Sequence, residues 1–195
     1  MDVAGSLNLV GIEHMVVYQF EDKIPKVGKG AYISQSADII GDVIVGKQCY
    51  IGPGARIRGD YGKIVIGDKT SVEENCVLHA RPNEVCRVGS MVTVGHGSIL
   101  HNCTVKDYAI IGMGAIVSDY AVVGVWSVVG EGCVVKNNQV IENNTVVVGV
   151  PAKVVGEVSE EYKKLWTHYK NIYVKLARTY PKKLETVRPD LRGSL

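Results

Sequence analysis

The chain has 195 residues, 46% of them hydrophobic, enough for one domain with its own core. Its 22 basic and 20 acidic side chains leave a net charge of +2, which favours neither a nucleic-acid groove nor an acidic partner. No apolar run approaches the roughly 18 residues of a spanning helix, and no cationic stretch precedes an apolar core at the N-terminus, so neither a membrane nor an ordinary signal peptide is expected.

Residues 1–14 fit no repeat and are expected to be a leader or a cloning remnant, with Met15 the more natural start. A short strand is predicted over 16–20, followed by a loop around Pro25 and Gly28. From Ile33 the chain becomes periodic: Ile33, Ile39, Val45, Ile51 and Ile57 are spaced by six. A nine-residue step leads to Ile66, Val72 and Leu78, a ten-residue step to Val88, Val94 and Leu100, and a five-residue step to Val105. Ile111, Val117, Val123, Val129, Val135, Ile141 and Val147 then follow by six. The residue four places after an anchor is usually small, as at Ala55, Cys76, Ser98 and Ala115, and glycine often follows the anchor directly.

A spacing of six suits neither a helix, which needs about 3.6, nor one plain strand, which needs 2. It suits a short strand and a turn, repeated as one face of a β-solenoid. Scarce aromatics and abundant valine and isoleucine agree with a pleated aliphatic core. Of the five cysteines, Cys49, Cys76 and Cys133 share the inward repeat position, and no CxxC occurs. They read as small buried hydrophobes in a reducing, cytoplasmic compartment. The repeat domain is placed at 15–156, a C-terminal helical segment at 157–181 and a polar tail at 182–195. Ser159 is the expected N-cap, Leu165, Tyr169, Ile172, Tyr173, Leu176 and Tyr180 the apolar stripe, and Pro181 the stop.

Three of the five histidines, His79, His96 and His101, fall in the repeat; His14 and His168 lie outside it. Counting three faces to a coil stacks Leu78 on Leu100, so His79 and His101 share one edge, with Arg58 in the same column one coil earlier. Stacked rungs lie about 4.8 Å apart, a spacing from which two imidazoles can converge on one metal ion. His96 belongs to another face and can complete a site only across a subunit boundary, which a trimer of prisms would repeat three times. Three histidines with one position open is a catalytic zinc pattern, and Fe2+ or Co2+ can use the same ligands.

The aliphatic anchor, glycine and small residue resemble the hexapeptide-repeat family, which implies a mainly β fold: a single-stranded left-handed parallel β-helix with three six-residue faces, followed by the C-terminal α-helix. The segments 58–60 (RGD), 73–79 (EENCVLH) and 95–101 (GHGSILH) resemble the γ-class carbonic anhydrases over roughly 24–180, closest to the phenylacetate-degradation and carnitine-operon subgroup. That resemblance implies a cytoplasmic homotrimer whose zinc is shared, with His79 and His101 from one subunit and His96 from its neighbour. It further implies Arg58 and Asp60 as a boundary pair, Glu74 as a carboxylate that pairs with the arginine, and hydration of CO2 to bicarbonate by a metal-bound hydroxide. Glu73 stands where the prototype has glutamine, and Tyr61 where it has an acid. The acidic loop shrinks to 81–87 with Glu84, leaving Glu73 or Glu84 as the proton shuttle. An acyl-CoA thioesterase, a hexapeptide acyltransferase and a non-catalytic assembly subunit are the other functions this sequence admits.

Overall fold

The computed structural model describes residues 17–187. The expectations for residues 1–14, and for the tail beyond 187, fall outside them. The described residues form a three-sided left-handed prism of seven parallel coils with one helix along its side. On the first face Val17, Ile39, Ile57, Leu78, Leu100, Val117 and Val135 stack rung on rung in direct register. The second face stacks Val27, Val45, Ile66, Val88, Val105, Val123 and Ile141. The third stacks Ile33, Ile51, Val72, Val94, Ile111, Val129 and Val147. Every predicted anchor is buried, and all five cysteines are buried free thiols.

The prism begins two faces earlier than the periodicity suggested. Val17–Tyr18 and Lys26–Val27 are strands that pair with the first and second halves of Asp38–Val45, so the expected loop around Pro25 and Gly28 is part of the first coil. Val27, six residues before Ile33 and followed by glycine, was the signal for it. Corners are turned by a residue three places after the anchor with positive φ, glycine at 54, 97, 114 and 132, but also Lys69, Met91, Tyr108 and Trp126. The long steps are absorbed without breaking a column. Arg56–Ile66 runs as one strand from the first face to the second, and 80–84 forms a loop. After the last coil Lys153–Glu157 pairs antiparallel with Thr145–Val148 and ends the solenoid.

The helix spans Glu160–Lys183, with Ser159 accepting from the Tyr162 N–H as N-cap and two glutamates in its first turn. Pro181 does not stop it. Proline removes a single hydrogen bond so near the end, and the Leu184 N–H still reaches the Tyr180 carbonyl. The packed face is also rotated from the expected stripe. Leu165, Tyr169 and Ile172 are exposed, whereas Lys170, Val174 and Ala177 are buried against the third face. Tyr173 and Tyr180 do pack, edge-on against the Tyr50 ring.

Lys170 is the reason the face was misread. A lysine marks a solvated side in a sequence, yet here it is 2% exposed, its Nζ donating to Thr93 Oγ1 at 3.2 Å and to the Ala109 carbonyl at 3.1 Å. The Trp126 and Trp166 rings stand 6.0 and 5.9 Å away. Burial pulls the amine down from 10.5 to about 7, with Glu73 opposing the shift. The unfolded chain therefore binds more protons than the folded one between those values, so this group makes stability rise with pH from about 7 upward. Burial raises the Cys49 and Cys76 thiols, which reverses the trend once unfolded thiols ionise near ~8.5. Urea unfolding should therefore show a gain of about 1 kcal/mol per pH unit between roughly pH 7 and 8.5. Lys170→Met should abolish that slope and be no less stable near pH 7, since an apolar side chain replaces a poorly compensated buried cation. Equal slopes in the two proteins would contradict the assignment.

Candidate metal centre

The corner between the first and second faces carries one side chain per coil directly after the anchor. Arg58, His79 and His101 occupy that position on successive rungs and pair in register, Arg58 beside His79 and His79 beside His101. The column counted from the sequence is present. Asp60 joins it because Arg56–Ile66 continues around the corner, and Asp119 rises from the coil below.

These side chains form a file. Arg58 Nη1 donates to Asp60 Oδ2 at 2.5 Å, and Asp60 Oδ1 lies 3.2 Å from His79 Nε2. His79 Nδ1 stands 3.2 Å from His101 Nε2, and His101 Nδ1 lies 2.5 Å from Asp119 Oδ1. Arg81 Nη1 closes the far end at 3.4 Å from Asp119 Oδ2. Burial works to raise the Asp60 carboxyl, but the Arg58 guanidinium, the Tyr61 N–H and His79 outweigh it and hold Asp60 below the usual range. Burial, with Arg58 and His101 adding to it, holds the His79 imidazole below its ordinary value against the pull of Asp60.

A carboxylate only accepts, so each outer carboxylate takes the N–H of the ring it touches. The inner nitrogens, His79 Nδ1 and His101 Nε2, are then left as lone pairs directed at each other. Two lone pairs at that distance repel unless a cation lies between them. Their 3.2 Å separation is close to the roughly 3.3–3.4 Å edge that two nitrogens span on a tetrahedral zinc with ~2.0–2.1 Å bonds. Among the described residues no three histidine, cysteine, aspartate or glutamate side chains of one chain surround a common point.

His96 lies at the other edge of the first face, after the third-face rung Thr93–Val94, and touches neither His79 nor His101. It is held between two carboxylates, Nδ1 at 2.5 Å from Glu74 Oε2 and Nε2 at 3.0 Å from Glu73 Oε2. Within the single chain two expected contacts are not made. Within the chain Glu74 does not pair with Arg58, which reaches Asp60; Glu74 accepts from Tyr50 Oη at 3.0 Å and faces His96. Glu73 is not placed to exchange protons with solvent. It is 4% exposed, near Ser71, Tyr173 and Lys170, and burial raises its carboxyl although His96 and Tyr173 oppose the shift. Glu84 is exposed in the 80–84 loop, and Tyr61 leans edge-on toward His79 with its ring 6.0 Å from the Arg58 guanidinium.

Beside His96 and Glu73 a groove of about 300 Å³ runs between the third face and the helix, walled by Met113, Trp166, Tyr169 and Tyr173. A shallower hollow of about 430 Å³ on the second face, near Arg87 and Lys106, contains none of these histidines. Asp119, Arg81 and Tyr50 were missed in the sequence. Asp119 could have been found by its place two residues after Val117, in the coil directly below His101.

Residues 24–59 match the family described as bacterial transferase hexapeptide (six repeats). The carnitine operon protein CaiE of Escherichia coli is 36% identical over 189 residues, spanning 92% of this chain and 96% of its own length. A Bacillus cereus crystal structure described as a candidate acetyltransferase superposes with a TM-score of 0.84 at 36% identity, over 86% of this chain and 98% of that one. A hexapeptide transferase family protein from Anaplasma phagocytophilum gives 0.81 at 34% identity, over 85% and 98%. This chain belongs to the hexapeptide-repeat transferase family, alongside the CaiE proteins.

Proposed function

We propose that the chain is a metal-dependent enzyme of the γ-carbonic anhydrase type, hydrating CO2 reversibly at a centre completed between the subunits of a homotrimer. The observation that carries this reading is the pair of inward-facing nitrogens on His79 and His101, each backed by a carboxylate. Neutral, oriented imidazoles with carboxylates behind them are what a divalent ion requires of its ligands. Bound zinc, or iron(II) or cobalt(II) on the same donors, supplies the Lewis acidity that ionises water near neutral pH.

The remaining work falls to the chain's own residues. Asp60 orients His79, and Arg58, whose side chain is 45% exposed, has donors free to hold the carboxylate of bicarbonate. The first face supports the shared site. It carries His96 along one edge and His79 and His101 along the other, so a threefold arrangement with first faces inward brings one chain's His96 to its neighbour's pair. The same arrangement covers Val77 and Ile99, which stack on adjacent rungs of that face at 38% and 39% exposure. For His96 to act as a ligand, its Nε2 must exchange Glu73 for the ion.

A second reading is acyl transfer from a thioester, and the family favours it. Two structural relatives above 30% identity are described as a candidate acetyltransferase and a hexapeptide transferase family protein. In this reading His96, its Nδ1 backed by Glu74 and its Nε2 released from Glu73, is the base that takes the acceptor's proton, and the aromatic groove receives the acyl group. Metal analysis with stopped-flow CO2 hydration and a free-thiol assay on acetyl-CoA separates the two. The first reading expects stoichiometric metal, CO2 hydration abolished by chelation and no thiol release. Chelator-insensitive thiol release that needs an acceptor establishes the second, whereas metal-dependent release without an acceptor marks a thioesterase.

Complementation tests the shared centre directly. His96→Ala and His79→Ala should each lack metal alone. After mixing, dissociation and reassembly, about one boundary in three of a 2:1 trimer joins an intact His79–His101 pair to an intact His96. Metal content and hydration should return in the mixture. No recovery in verified mixed trimers would mean that His96 does not complete the site.

A further inference from the structure

We propose that Asp119, steered by Arg81, is a positioning residue that fixes which nitrogen of His101 is free. It forms a second arginine–carboxylate arm opposite Arg58–Asp60. The proposal deepens the metal-dependent reading, because the free nitrogen is the one that would serve as a ligand.

The arm is built by the irregular coil. The step from Leu100 to Val105 is one residue short of the repeat, and the corner is turned by Asn102 in the left-handed region at φ 48°. Asn102 is 4% exposed and ties three coils together. Its N–H donates to the His79 carbonyl at 2.9 Å, and its own carbonyl accepts from the Tyr120 N–H at 2.8 Å. Its Oδ1 accepts from the Arg81 N–H at 3.3 Å. The residues on either side of these contacts are thereby set relative to one another: His101 precedes Asn102, Asp119 precedes Tyr120, and Arg81 follows the His79 coil. The 80–84 loop brings the Arg81 guanidinium to 3.4 Å from Asp119 Oδ2, leaving Oδ1 for His101 Nδ1 at 2.5 Å.

The consequence is a choice of tautomer. A free imidazole in water prefers its proton on Nε2, and the His101 side chain is 39% exposed, so nothing else forces the alternative. Asp119, 14% exposed and able only to accept, holds the proton on Nδ1. That leaves Nε2 facing His79. The two histidines are therefore oriented oppositely, His79 offering Nδ1 and His101 offering Nε2, and each offer is set by its own carboxylate.

The test reads the tautomer before any metal is present. In chelator-treated protein with 15N-labelled imidazoles, long-range 1H–15N correlation near pH 8 should show His101 protonated on Nδ1, its signal identified by loss in His101→Gln. Asp119→Ala should move the proton to Nε2 or to a mixture and lower zinc affinity by about 10–100-fold in chelator competition. Asp119→Asn, whose amide oxygen still accepts, should keep the Nδ1 proton and most of the affinity. Arg81→Gln should fall between the two. A wild type with the proton on Nε2, or a tautomer unmoved by Asp119→Ala in a folded protein, overturns the proposal. If Asp119→Ala does not fold, the wild-type tautomer and the Arg81→Gln shift still decide it. A wild type with the expected tautomer that takes up no zinc overturns the metal-dependent reading and supports the role of Asp119.

Discussion

Parallel hydrogen bonding from each rung to the rung one coil away fixes where every outward side chain stands. In this prism the ladder continues through the corners, where the N–H of the left-handed residue reaches a carbonyl of the preceding coil, as from Lys69 to Lys47 at 2.8 Å and from Met91 to Asp68 at 2.9 Å. Left-handed backbone costs a residue other than glycine about 1 kcal/mol. The corners at Lys69, Met91, Tyr108 and Trp126 accept that cost because each closes a hydrogen bond that would otherwise be orphaned. Inside, the stacked aliphatic anchors exclude water, so a slip by one residue would turn the whole aliphatic set outward. The columns of the candidate centre follow from that prohibition.

On this frame the charges are arranged in files. Arg58, Asp60, His79, His101, Asp119 and Arg81 form one file along a corner, with an arginine and a carboxylate at each end and the histidine pair between them. At the opposite edge of the face, Glu73 and Glu74 enclose His96. Tyr50 donates to Glu74, and Tyr173 stands beside Glu73; burial, with the glutamate charges adding to it, pushes both phenols up, so they remain protonated. The helix therefore contributes to the His96 environment through Tyr173, and coverage of the third face and the chemistry of that edge are linked.

Most of the fold was legible because the inward position of a narrow prism tolerates little besides isoleucine, leucine and valine, and that restriction shows in the spacing. The Arg58–His79–His101 column was legible for the same reason, since counting anchors places their neighbours. Other features depend on contacts between distant segments, and spacing cannot show these. Within the chain Glu74 faces His96 and Tyr50 rather than Arg58, because it follows the third-face anchor Val72 and so stands at the opposite edge of the face from that guanidinium. Lys170 is buried because Thr93 and Ala109, about sixty to eighty residues earlier, supply its acceptors. Asp119 was hidden because it stands two places after its anchor Val117, whereas the histidines stand one place after theirs.

The antiparallel strand Lys153–Glu157 closes the last coil, and its consequence is one of place. In a solenoid each coil leans only on its neighbours, so opening begins at an end and proceeds inward. Ile57, Leu78, Leu100 and Val117 anchor the third to sixth of seven rungs, and the candidate centre lies among them. Fraying at the first coils, or release of the final strand, would leave those rungs paired on both sides. The histidines therefore sit where local opening of the solenoid arrives last, and their alignment is insulated from fraying at either end of the prism.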